Sequence, residues 1–164
     1  SAVGVSIYID EPDTIYLVAD FKQSPTKAFP ILTKGMNTNT DLWNYCFDLF
    51  TYQNSISFVD YGVDIQTDVL SDGLHAVCIR RSGTDTYFYI DGVLKYTKTN
   101  YKGKYSGYFH VNYMRRGGSS FAGVGVNVRF LAMGGVETEA GFQDNMDFIQ
   151  NHFVENYSPS LYHS

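Results

Sequence analysis

From Ser71 to Thr97 the chain reads SDGLHAVCIRRSGTDTYFYIDGVLKYT, and apolar and polar positions alternate along most of it. His75, Val77 and Ile79 fall on one side of an extended chain, and Ala76, Cys78 and Arg80 on the other. Ser82-Gly83-Thr84-Asp85 supplies the small polar residues that reverse a chain. Tyr87 to Ile90 is an aromatic and β-branched run, and Asp91-Gly92 is a strong two-residue hairpin signal. The stretch predicts three strands joined by two tight turns.

The same period of two recurs elsewhere. Val3, Val5, Ile7 and Ile9 share a face, as do Ile15, Leu17, Ala19 and Phe21 after the break at Glu11-Pro12-Asp13. Residues 24–30 hold two prolines and read as a loop, before a short strand Ile31-Leu32-Thr33-Lys34. Trp43, Tyr45, Phe47 and Leu49 align next, then Ile56 and Phe58. Val63 to Leu70 is a weaker strand. Residues 100–108, rich in Tyr, Lys and Gly, read as a surface loop. Phe109 to Arg115 reads as a strand, and Phe121 to Met133 as a glycine-punctuated strand or strand pair.

Only after Gly134-Gly135 does the period change. Phe142, Met146, Ile149 and Phe153 are spaced four, three and four apart, which predicts a helix over about 138–153 with Thr138 as its N-cap. A polar tail, 154–164, follows. Many short strands with frequent turns and one terminal helix predict an all-β, two-sheet antiparallel sandwich, taken as a single domain over 1–164.

Composition sharpens this picture. Of 164 residues only 18% are charged, whereas 14 are Tyr and 12 Phe. That mix suits strands, and it also suits a surface that binds through amphipathic rings. A net charge of −5 argues against nucleic acid or an anionic membrane surface, since both need a concentrated positive face. Arg115-Arg116 is the local exception. Cys46 and Cys78 sit in apolar, strand-like runs without metal-ligand spacing, which reads as two small buried thiols; whether they pair is open at this stage. No apolar run approaches the ~20 residues needed to span a bilayer, so no membrane insertion is expected. The opening at Ser1 reads as that of an excised domain, and the lack of a leader then bears little on compartment.

The central hairpins resemble the laminin G-like domains of the concanavalin A-like lectin and glucanase superfamily. The resemblance is carried by Asp72-Gly73-Leu74-His75-Ala76-Val77-Cys78-Ile79-Arg80, the Ser82-Gly83 turn and Phe88-Tyr89-Ile90-Asp91-Gly92-Val93, with Leu74 where those domains usually have Trp. Ile31-Leu32-Thr33-Lys34-Gly35 resembles an early strand of that family. Phe121-Ala122-Gly123, the strand to Phe130 and the following helix resemble its ending. The resemblance implies a concanavalin A-like jelly roll and leaves function open, because that fold hosts lectins, adhesion modules, glycosidases and viral attachment domains.

The glucanases of that superfamily resemble one another in a Glu-x-Asp-x-x-Glu strand, which sets two carboxylates about 5–5.5 Å apart for retaining hydrolysis. This chain has none. Glu137-Thr138-Glu139 opens the helix, where acids favour its dipole. There is no Gly-x-Ser-x-Gly elbow, no phosphate-binding loop, and no His at a spacing from a Ser or Cys that announces a nucleophile. No enzyme activity and no catalytic residue are expected. His110-x-Asn112 resembles part of the galectin sugar-binding strand, but Met114 stands where Arg would follow; the bland alternative is a polar face on an edge strand.

Aromatic platforms and polar groups remain as binding candidates. They are Trp43 (with Asn44 and Tyr45, unless these pack inside), then Tyr101, Tyr105 and Tyr108, then His110, Asn112, Tyr113, Arg115 and Arg116. No cofactor is required. Some laminin G-like domains bind a rim calcium, for which Asp41, Asp60 and Asp64 are the acids at hand, without a recognisable calcium-loop spacing. The expected partner is a cell-surface glycan or glycoprotein receptor. By analogy, the abundant Tyr, Asn, Gly and Thr, the lack of a leader and the short tail fit the distal receptor-binding domain of a viral or phage fibre. Such a domain sits on a virion surface or outside cells, often in a homotrimer. The alternatives are an adhesion module that binds protein and a structural domain with no ligand.

Overall fold

A computed structural model describes residues 5–9, 12–22, 29–34, 47–60, 63–99, 107–116, 119–122 and 126–156. It is mostly strand. The first six are β1 (Val5–Ile9), β2 (Thr14–Phe21), β3 (Phe29–Lys34), β4 (Phe47–Tyr52), β5 (Ser55–Asp60) and β6 (Val63–Val69). The central hairpins form β7 (Gly73–Ser82), β8 (Asp85–Ile90) and β9 (Val93–Lys98). Then come β10 (Gly107–Val111), β11 (Tyr113–Arg116), β12 (Ser119–Ala122) and β13 (Val126–Gly134). Helix α1 spans Glu139–Ile149 and runs into a π-helical turn at Gln150–Glu155.

The strands form a six-stranded antiparallel sheet in the order β1-β10-β3-β4-β5-β6 and a five-stranded one in the order β13-β2-β7-β8-β9. A separate two-stranded ribbon joins β11 and β12. The expected two-sheet sandwich with one C-terminal helix is therefore what the chain forms. Asp91 and Gly92 turn β8 into β9 with φ of 49° and 77°, the left-handed pair that a tight hairpin needs.

Period-two burial builds the core between the sheets. Ile15, Leu17, Ala19 and Phe21 of β2, Val77 and Ile79 of β7, and Phe88 and Ile90 of β8 meet Leu32, Phe47, Leu49, Ile56, Phe58 and Phe109 of the facing sheet. Phe58 stacks on Phe88 across the sandwich at 5.3 Å, and Phe47 meets Phe58 and Phe109 edge-on at 5.1 and 5.5 Å. Such ring pairs add roughly 0.5–1.5 kcal/mol beyond their buried area.

The five-stranded sheet has a second apolar face. Tyr16, Val18, Ala76 and Cys78 pack under Phe142, Met146 and Ile149 of α1, so strand β2 is buried on both sides. Cys78 is a free thiol, and burial, with a smaller push from the Asp91 charge, raises its pKa to about 12. No helix among the described residues is long and apolar enough to cross a membrane.

Two strand expectations change. Residues 109–115 do not make one strand: Asn112, at φ 56°, breaks the chain between β10 and β11. Nor is β10 an edge, because it lies between β1 and β3.

Candidate functional site

With α1 on one outer face of the sandwich, the outer face of the six-stranded sheet is the other broad surface. Phe109, Leu32, Leu49, Phe58 and Ile56 point into the core, so alternate positions belong to the outer side. The strand register aligns those positions in rows. One row runs Ser6, His110, Thr33, Asp48, Val59, Asp64 across all six strands. A second runs Pro30, Phe50, Ser57, Gln66, and a third pairs Tyr8 with Tyr108.

Among the described residues, Thr33, Ser57 and His110 stand on this side of the sheet where the inner side carries aliphatic and aromatic side chains. The middle of this outer face is low, with Thr33 at 0%, Ser57 at 3% and Phe50 at 7% exposure. Two tyrosines stand up at its margins, Tyr8 of β1 at 63% and Tyr52 of β4 at 45%. Thr33, Ser57 and Phe50 are therefore packing beneath the surface, and the groups of this face that a ligand could reach are the exposed rings of Tyr8 and Tyr52, which can stack the apolar side of a pyranose, and half-buried His110.

His110 lies near the end of β10, half-buried, in the first row. Tyr108 occupies the third row by register. Tyr113, Arg115 and Arg116 lie on β11, paired with Ala122, Ser120 and Ser119 of β12, in a ribbon close to β3. Asn112 is the hinge between these groups: its N–H donates to the Ile31 carbonyl at 3.0 Å, and its Oδ1 is buried with no hydrogen-bond partner among the described residues. The left-handed break ends the alternation that would carry His110, Asn112 and Met114 along one continuous strand, so the galectin-like reading does not hold. Trp43, Asn44, Tyr45, Tyr101 and Tyr105 lie outside the described residues, as does Asp41 of the calcium set. The described residues contain no cluster of three or more His, Cys, Asp or Glu side chains able to hold a metal.

Two groupings escaped the sequence reading. The first surrounds His75. Its Nδ1 lies 2.5 Å from Asp91 Oδ2, and its Nε2 lies 3.3 Å from Ser71 Oγ and 3.0 Å from the Ser71 carbonyl. No sequence spacing announced this Ser, because hairpin pairing rather than chain proximity brings Asp91 in. The order Ser–His–Asp is that of a hydrolase triad. Here, however, the hydrogen bond that Nδ1 donates to Asp91, together with the Asp91 charge and the Ser71 carbonyl, raises the His75 pKa against the opposing effect of burial. Nε2 lies nearer the Ser71 carbonyl than the Ser71 hydroxyl, so the ring ties the segment before β7 to the β8–β9 turn.

The second grouping involves Glu137. Rather than acting only on the helix dipole, its Oε2 accepts from Tyr16 Oη at 2.5 Å and Asn145 Nδ2 at 3.1 Å. Burial and that carboxylate together push the Tyr16 pKa well up, so the phenol stays protonated and donates.

No protein-family model matches the sequence, and no curated protein does. Solved structures do share the fold. A Trypanosoma rangeli sialidase in complex with sialic acid is 13% identical with a TM-score of 0.65; the match covers 87% of this chain and 24% of that one. The chain thus spans about a quarter of that enzyme's length. The CBM40 module of a Ruminococcus gnavus IT-sialidase is 12% identical at a TM-score of 0.56, with 89% of this chain and 100% of the module covered. The same module bound to α2,3-sialyllactose matches at 11% identity and a TM-score of 0.56, covering 89% and 99%. At these identities the likeness is one of fold alone: a two-sheet antiparallel β-sandwich.

Proposed function

We propose that this chain is a non-catalytic glycan-recognition domain. Its ligand lies on the outer face of the six-stranded sheet and reaches the β11–β12 ribbon. The ligand class is a cell-surface glycan ending in sialic acid. The observation that carries the reading is the asymmetry of the sandwich: one outer face is filled by α1, and the other carries half-buried His110 and exposed Tyr8 and Tyr52 above a buried layer of Thr33, Ser57 and Phe50. The shared fold of a module solved with sialyllactose supports the sugar class. A single guanidinium on β11, at Arg115 or at Arg116, is the kind of group that pairs bidentately with a sialic carboxylate.

The setting we propose is the attachment end of a viral or phage fibre, on a virion surface or otherwise outside cells. A trimeric parent would raise a weak single site by local concentration, typically by about 10²–10⁴. The test is a glycan array probed with the protein displayed on a trimeric scaffold. Sialylated glycans are expected to bind, and Arg115→Ala and His110→Ala to weaken binding about tenfold or more. An array silent at that valency, or binding indifferent to both substitutions, would overturn the proposal.

A further inference from the structure

On the opposite side of the molecule, α1 does not close fully over the five-stranded sheet. A cleft of about 380 Å³ opens between the helix, the π-helical turn and strands β2 and β13. Phe130 of β13 stacks on Phe153 of the π turn at 4.8 Å, and Phe148 meets Phe153 edge-on at 6.3 Å. Phe148 is 56% exposed although apolar, because it stands at the cleft mouth rather than on a packed face. Ile149 and Ala132 complete the apolar wall.

The polar end is Glu137. Tyr16 and Asn145 both donate to its Oε2, which fixes the carboxylate as an acceptor. Its Oε1 has no hydrogen-bond partner, and no Lys, Arg or His pairs with it, among the described residues. This half-buried carboxylate, beside the N-terminus of α1 and set among aromatic rings, has no cationic side chain paired with it among the described residues. The faces of those rings are themselves negative.

We propose that this cleft binds a small organic ammonium ion, its cationic head at Glu137 and its apolar body against Phe130, Phe148 and Phe153. A metal ion fits poorly, since carbon rather than oxygen lines most of the site. An anion would meet the carboxylate. The volume suits a compact ligand. The site is separate from the glycan face, and neither proposal depends on the other.

The test titrates the full chain with choline and with its neutral carbon isostere, 3,3-dimethylbutan-1-ol, followed by amide and side-chain NMR shifts. Choline is expected to give saturable shifts at Glu137, Asn145, Phe148 and Phe153, and the isostere to bind about tenfold more weakly. Glu137→Gln, which keeps shape and acceptor but removes charge, is expected to weaken choline about tenfold and leave the isostere unchanged. Phe148→Ala, at an exposed position, tests the ring wall without threatening the fold, and is expected to weaken choline severalfold. Equal binding of choline and isostere would show an apolar pocket only and overturn the proposal. So would an absence of saturable shifts below about 50 mM, or choline affinity untouched by Glu137→Gln.

Discussion

His75 shows how one side chain can tie two hairpins. Asp91 uses both oxygens, Oδ2 on His75 Nδ1 and Oδ1 on the Ala76 N–H at 2.9 Å, while its own N–H donates to the Ala76 carbonyl at 2.9 Å. Phe21 packs edge-on to the imidazole at 5.7 Å, joining the clamp to the core. Because Asp91 raises the His75 pKa above its unfolded value, the charged form stabilises the fold. That contribution is fully present below about pH 6.5 and is lost as pH rises through the higher folded value. Urea midpoints measured across this range should therefore fall with rising pH. Asp91→Asn keeps an acceptor and a residue tolerant of the left-handed turn, yet removes the charge, so it should flatten this slope. His75→Gln should do the same, and the double variant should match the singles within about 0.5 kcal/mol in pH dependence. A slope that persists in both single variants would place the titration elsewhere.

Among the elements, α1 was the most legible in sequence. Thr138 caps it, with Oγ1 accepting from the Gly141 N–H at 3.1 Å, and the spacing that predicted it buries Phe142, Met146 and Ile149. Thr138→Ala should cost about 1 kcal/mol in chemical denaturation, the usual worth of such a cap. The predicted continuation to Phe153 holds only through the π-helical turn, which no periodicity signals and which carries Phe153 onto Phe130. Strands with one apolar side were equally readable: Val77 and Ile79 are each 1% exposed, as their alternation required. The second buried face of β2 was not, because Tyr16 and Val18 look like ordinary outward residues until a distant helix lands on them. The candidate site was legible only in part for a related reason. His110 could be picked out by residue type, but its row with Thr33 and Asp48 depends on strand order, and β3 reaches β10 across more than seventy residues. The break at Asn112 was equally hidden, since a positive φ outside glycine leaves little trace in composition.

At the scale of the whole molecule, the two outer faces of the sandwich carry different burdens, and paired substitutions separate them. Phe142 is 2% exposed and packs against Tyr16 at 5.2 Å and Tyr89 at 5.5 Å, which roofs the five-stranded sheet. Phe142→Ala removes a ring from a site that cannot collapse easily, because a helix and a sheet hold its walls apart; the expected loss is about 3–5 kcal/mol. Glycan binding per folded molecule should stay unchanged, since that ring lies across two sheets from the proposed ligand. Tyr8 is 63% exposed at the margin of the opposite face, so Tyr8→Ser should shift stability by no more than about 0.5 kcal/mol. In the trimer-displayed array, however, it should lower glycan binding severalfold, as loss of a stacking ring does. Denaturation and binding measured on the same two variants form a cross. If Tyr8→Ser costs stability and leaves binding intact, the outer face of the six-stranded sheet is architecture, and the glycan must be sought at the β11–β12 ribbon alone.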